Sequence, residues 1–153
     1  MPRLVPRTPE REEILTVHIN VPGFVEEQQR SLNILLLEDR SDFRTVMHDY
    51  LVGLSHRVTA VDSGVKGVQE LIRAPFDVII CDMMMPKMGG EMFYVAATRV
   101  RPAARERFIF FTGHRNNPTL EAFFRRIDAT VLYKPFSLAS LEWATRHVLG
   151  KLT

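Results

Sequence analysis

Only one cysteine, Cys81, occurs in the 153 residues, which excludes an internal disulfide and fits a reducing compartment. No apolar run approaches the roughly 20 residues that span a bilayer. The opening Met1-Pro2-Arg3-Leu4-Val5-Pro6 lacks the apolar core of a signal peptide. A membrane is therefore not an expected partner, and a cytoplasmic location is expected. Charge of neither sign dominates, with a formal net of +2. That balance argues against nucleic acid. The arginines within 99–107 and the pair Arg125, Arg126 read as solvated helix ends and faces instead. Internal repeats and low-complexity tracts are also missing.

What is present suffices for one ordinary domain: 46% hydrophobic and 25% charged residues, enough for a core without staples. Residues 1–31 differ in character from the rest. They are rich in proline and charge around one alternating stretch, Leu15, Val17, Ile19 and Val21, which Pro22-Gly23 ends. The polar linker 26–31 follows. We expect an N-terminal extension over 1–31, with one strand-like segment, and a folded domain over 32–153.

Within that domain, four short apolar runs predict buried strands over Asn33–Leu37, Phe76–Cys81, Phe108–Thr112 and Thr130–Tyr133, with a weaker fifth over His56–Val61. Their near-continuous Ile, Leu, Val and Phe content suits a sheet covered on both faces. Helical spacing links Phe43, Val46, Met47, Tyr50 and Leu51. It also links Val68, Leu71 and Ile72; Phe93, Ala96, Ala97 and Val100; Leu120, Phe123, Phe124 and Ile127; and Leu138, Leu141, Thr145 and Val148. Ser41 or Asp42, Asn117-Pro118 and Ser137 stand where helix N-caps belong. Strand and helix alternating five times predict a doubly wound α/β fold with helices on both faces of a parallel sheet.

In such sheets, functional groups collect at the carboxyl ends of the strands. Glu38-Asp39 follow the first strand, Asp82 the third, Thr112-Gly113-His114 the fourth, and Lys134-Pro135-Phe136 the fifth. Three carboxylates, a hydroxyl and an ammonium are thus expected on one edge. Clustered carboxylates repel, and a divalent cation relieves that repulsion; oxygen ligands with open positions suit Mg²⁺. A carboxylate can also attack phosphorus and form an acyl phosphate. Such a transfer needs little beyond in-line positioning and neutralised oxygens.

Taken together, Leu35-Leu36-Leu37-Glu38-Asp39, Asp82 with Met85-Pro86 and Met88-Gly89-Gly90, Phe111-Thr112-Gly113, and Lys134-Pro135-Phe136 resemble the receiver domain of bacterial two-component systems. The resemblance spans about residues 32–151. It implies a flavodoxin-like sheet in the order 2-1-3-4-5. It also implies that Asp82 accepts a phosphoryl group from a histidine kinase or histidine phosphotransfer protein. On that resemblance, Glu38 and Asp39 form an acidic pocket, and Mg²⁺ is held by Glu38, Asp39, Asp82 and the backbone carbonyl of Met84. Thr112 is the switch hydroxyl, and Lys134 binds a phosphate oxygen. The Lys134–Pro135 bond is a candidate cis peptide.

Val131 departs from the family pattern, which often has an aromatic ring three residues before the lysine. Tyr133, facing differently, is not expected to replace that ring. Met84 and His114, each two residues after a site residue, are expected to line the approach to the phosphoryl group. Met83, Met84, Met85 and Met88 read as packing for a loop over the core rather than as soft-metal ligands. Cys81 reads as a small buried hydrophobe, and His48 as an exposed residue without a catalytic role. The helix carrying Phe123 to Arg126, with the fifth strand and helix, is the expected protein-binding face.

The expected function is a phosphorylatable signalling receiver rather than an enzyme. It would act through a downstream protein partner or phosphorelay without an output domain, and a homodimer is possible on this reading. The alternatives are a non-phosphorylated scaffold that keeps the fold, which Val131 favours, and a phosphatase-type hydrolase. Met84 disfavours the hydrolase because it stands where a general acid would be needed.

Overall fold

The computed structural model describes residues 30–151, so the strand-like Leu15–Val21 segment lies outside the described residues. The elements alternate: β1 (Asn33–Leu37), α1 (Ser41–Gly53), β2 (Arg57–Val61), α2 (Gly64–Arg73), β3 (Val78–Asp82), α3 (Gly90–Val100), a short 3-10 turn (Pro102–Glu106), β4 (Phe108–Thr112), α4 (Pro118–Ile127), β5 (Thr130–Tyr133) and α5 (Leu138–Gly150). All strand pairs are parallel, in the order β2-β1-β3-β4-β5. The doubly wound sheet expected from the sequence is the one observed.

Alternation along each strand divides the core into two layers. Leu35, Leu37, Ile79, Cys81, Phe108 and Phe110 pack with Leu71, Phe93, Ala97, Phe123 and Phe124. Ile34, Leu36, Val78, Ile80, Ile109, Phe111 and Leu132 pack with Met47, Leu51, Leu141, Ala144 and Val148. The first layer therefore lies under α2, α3 and α4, and the second under α1 and α5.

The caps at Asn117 and Ser137 form as expected. Asn117 accepts the amides of Thr119 and Leu120, with Pro118 in the first helical turn, and Ser137 accepts that of Ser140. The cap expected at Ser41 or Asp42 does not. α1 begins at Ser41, its N-cap residue is Arg40, and no side chain caps it. The third strand starts at Val78, two residues later than the apolar run suggests. Val46 and Ile72 are 51% and 63% exposed, so neither belongs to the buried stripe that spacing assigned it to. A three-to-four-residue period cannot separate the centre of a helix face from its margin, where apolar side chains stay wet.

Candidate functional site

Register places the site. Strand order reverses between β1 and β3, which leaves a crevice beyond their carboxyl ends. Leu37 pairs with Cys81, so Glu38 and Asp82 are level. Asp82 pairs with Phe111, so Thr112 stands one residue beyond it. Thr112 pairs with Tyr133, and Lys134 is next in the chain. Four short parallel strands thus deliver their last residues to one rim.

Carboxylate oxygens of Glu38, Asp39 and Asp82 lie within 4.8 Å of one another. Glu38 and Asp82 are buried, while Asp39 is the more open of the three. The Lys134 ammonium is 3.5 Å from Asp82 Oδ2 and 4.0 Å from Glu38 Oε2. Behind it stand two aromatic faces, Phe111 at 5.1 Å and Phe43 at 5.3 Å from Nζ to ring centre. With Phe136 these rings form a mutually packed trio. The Lys134–Pro135 bond is cis.

Backbone groups hold the carboxylates. The Met84 amide donates to Asp82 Oδ1 at 3.0 Å, and the Arg40 amide donates to Glu38 Oε1 at 3.1 Å. Thr112 is fully buried, and its Oγ1 accepts the His114 amide at 3.1 Å. Met84 itself is 53% exposed beside Asp82, whereas Met83 and Met85 are buried against the core. Gly90 lets α3 start close over this loop. A Cβ there would lie 2.6 Å from Met83 Sδ and 2.9 Å from Met83 Cα.

The electrostatics are unbalanced. One ammonium faces three carboxylates, and Glu38 Oε2 is buried with no hydrogen-bond partner. Burial, and next to it the neighbouring Asp82, raise the Glu38 carboxyl from 4.5 to about 7. A buried carboxylate oxygen that accepts no hydrogen bond, facing two more carboxylates, is the donor set of a hard divalent cation such as Mg²⁺. The residues present fit that ion. Cys81 makes no contribution to such a site: it is buried, its thiol donates to the Asp82 carbonyl, and burial pushes its pKa up.

Glu38, Asp39, Asp82 and Lys134 are therefore brought together as the sequence suggested, with Thr112 at the end of β4 and Met84 on the loop after β3. Two features differ from expectation. Tyr133 does not face away from the side of Val131: the two are two residues apart on one strand and share a face. Val131 packs against the core layer under α4, and the Arg115 guanidinium lies 4.8 Å over the Tyr133 ring. The second feature is Arg44, which sequence reasoning missed. Its Nη1 donates to the backbone carbonyls of Glu38 at 2.9 Å and Asp39 at 3.3 Å. The only signal was a cation in the first turn of a helix, where the dipole disfavours it.

Residues 34–146 match the model of the response regulator receiver domain, and the chain belongs to that family. It is 35% identical over 109 residues to the response regulator receiver protein CpdR of Brucella abortus, covering 71% of this chain and 88% of that one. It is 27% identical to the probable chemotaxis protein CheY of Rhizobium etli, covering 79% and 95%. Among solved structures, it is similar to the receiver domain of the sensor histidine kinase PA1611 from Pseudomonas aeruginosa, whose magnesium ion is coordinated in the active site cleft. That match has 27% identity, a TM-score of 0.67, and coverage of 79% of this chain and 99% of that one. Receiver domains are signalling modules of two-component systems, not classical enzymes, and they work with histidine kinases and phosphotransfer proteins.

Proposed function

We propose that this protein is a phosphorylation-dependent receiver. It takes a phosphoryl group onto Asp82 from a histidine kinase or phosphotransfer protein and passes the signal on by protein contact or phosphorelay. The observation that carries this reading is the cluster of three carboxylates whose Glu38 Oε2 is buried without a hydrogen-bond partner, with Lys134 3.5 Å from Asp82.

In the transfer, an Asp82 oxygen forms a bond to phosphorus as the phosphorus–nitrogen bond of the donor phosphohistidine breaks, and the imidazole leaves. The Met84 amide fixes one Asp82 oxygen, which orients the other for in-line attack. Lys134, close to Asp82, is placed to balance charge on a peripheral phosphoryl oxygen. The Thr112 hydroxyl, now accepting from the His114 amide, serves a further oxygen once the loop moves. Glu38, Asp39, Asp82 and the Met84 carbonyl would hold Mg²⁺, which when bound neutralises charge on the transferring group. We assign the receiver to residues 32–153 and the work to the cytoplasm. The described residues contain no helix long and apolar enough to cross a membrane.

The test is incubation with acetyl phosphate and Mg²⁺, read by intact mass. The expected result is a gain of one phosphoryl group that is lost in Asp82→Asn. A wild-type protein that stays unlabelled, under conditions that label a control receiver, would overturn the reading.

A further inference from the structure

Arg44 occupies an unfavourable position. It lies in the first turn of α1, whose N-terminus carries partial positive charge and has no side-chain cap. A cation there gains nothing from the helix. What it gains comes from the loop before the helix, where its guanidinium reaches the carbonyls of both Glu38 and Asp39 through one nitrogen, at 2.9 and 3.3 Å.

Those carbonyls belong to the two consecutive acidic residues of the rim. Two other contacts fix the same segment. The Glu38 amide donates to the Val61 carbonyl at 3.1 Å, and the Arg40 amide closes on Glu38 Oε1. Arg44 thus holds the Glu38 and Asp39 carbonyls, and Val61 on the β2 side holds the Glu38 amide. Held this way, the two carboxylates stay aimed at Asp82 although they repel each other and it. Asp62, one residue past β2, is ion-paired with Lys66 at 2.9 Å and also feels the Arg44 charge.

We propose that Arg44 is a positioning residue for cation binding: by bonding the Glu38 and Asp39 carbonyls it holds the acidic pair in its binding geometry. This inference rests on the Mg²⁺ reading above. It makes a prediction of opposite sign to simple electrostatics. Arg44 is a positive charge beside a cation site, so through space alone its removal would tighten Mg²⁺ binding. If its bonds to the loop are what count, its removal weakens binding, as loss of a residue supporting metal ligands commonly does by 10- to 100-fold.

The experiment uses the full chain as wild type, Arg44→Ala, Arg44→Lys and Asp82→Asn. Mg²⁺ affinity is measured by calorimetry, and unfolding midpoints are measured with the metal chelated. We expect Arg44→Ala to bind Mg²⁺ about 10-fold more weakly, with its metal-free midpoint close to wild type. Arg44→Lys, which keeps the charge and a shorter-reaching donor, should fall between the two. Amide NMR shifts confined to residues 38–40 in the metal-free Arg44→Ala protein would locate the change. A folded Arg44→Ala that binds Mg²⁺ as well as or better than wild type overturns the proposal. If Arg44→Ala does not fold, Arg44→Lys decides: weaker binding supports positioning, and equal or tighter binding overturns it. A wild type that itself binds no Mg²⁺ sinks the metal reading and this proposal together, and is distinguished because Asp82→Asn then looks the same.

Discussion

Glu38 and Asp82 are buried carboxyls placed against each other, with Lys134 as their nearest cation. The arrangement serves binding at the expense of folding. Replacing Asp82 by Asn removes one charge from the cluster and supplies a donor toward Glu38. Asp82→Asn should therefore raise metal-free stability by about 1 kcal/mol, a typical single-site effect, in urea unfolding with chelator present. Lys134→Ala separates two tasks. It should bind Mg²⁺ at least as well as wild type, because a positive charge has gone. It should nevertheless accept phosphoryl from acetyl phosphate at least about 10-fold more slowly, because charge on the transferring group is unbalanced. Mass spectrometry over time measures that rate.

Among the elements, β1 and β2 are tied at their amino ends by a titratable contact. The Leu32 amide donates to His56 Nδ1 at 3.2 Å, and burial lowers the pKa of His56 below 6.5. The unfolded chain binds the proton more readily, so this contact adds stability that is complete above pH 6.5 and is lost as pH falls below it. Relative to His56→Leu, the wild-type urea midpoint should drop as pH falls through that range. Glu38, raised to about 7, contributes the opposite slope between 4.5 and 7, but it does so in both proteins and cancels in the comparison. α3 offers a steric test. Gly90→Ala sets a Cβ against the Met83 backbone and should cost about 1–3 kcal/mol by overpacking, seen as an earlier unfolding transition.

The elements also show where sequence was informative. The central strands β1, β3 and β4 were readable because burial on both faces makes them apolar almost throughout, and Asn117 and Ser137 because a cap is a local event. The exposed Val46 and Ile72 depend on how far α1 and α2 are rotated against the sheet, which no short window encodes; the cap at Ser41 fails because α1 already starts there, with Arg40 before it. Arg44 was illegible for a related reason: its partners are carbonyls, which carry no side-chain signature.

For the whole molecule, the four motifs of the receiver family come to one rim because each ends a strand of the same sheet. That is why the carboxylates and Lys134 could be named from sequence, while the shared side of Val131 and Tyr133 was misjudged. The proposed boundary at residue 32 predicts that a chain starting at residue 30 unfolds cooperatively with the Mg²⁺ affinity of the full chain. Calorimetry checks both, and a large loss in either would place residues 1–29 within the receiver's structure.

The parallel register makes strand length a measuring device. Adding one residue to β3 ahead of Asp82 would push its carboxyl about 3.3 Å along the strand and turn it to the opposite face. Glu38, one strand away, would then be level with a residue other than Asp82. The same holds for β4 and Thr112. Insertions are tolerable only where strands enter the sheet, at its amino edge, so the two rims of one sheet must change at different rates: one free to grow, the other fixed to the residue.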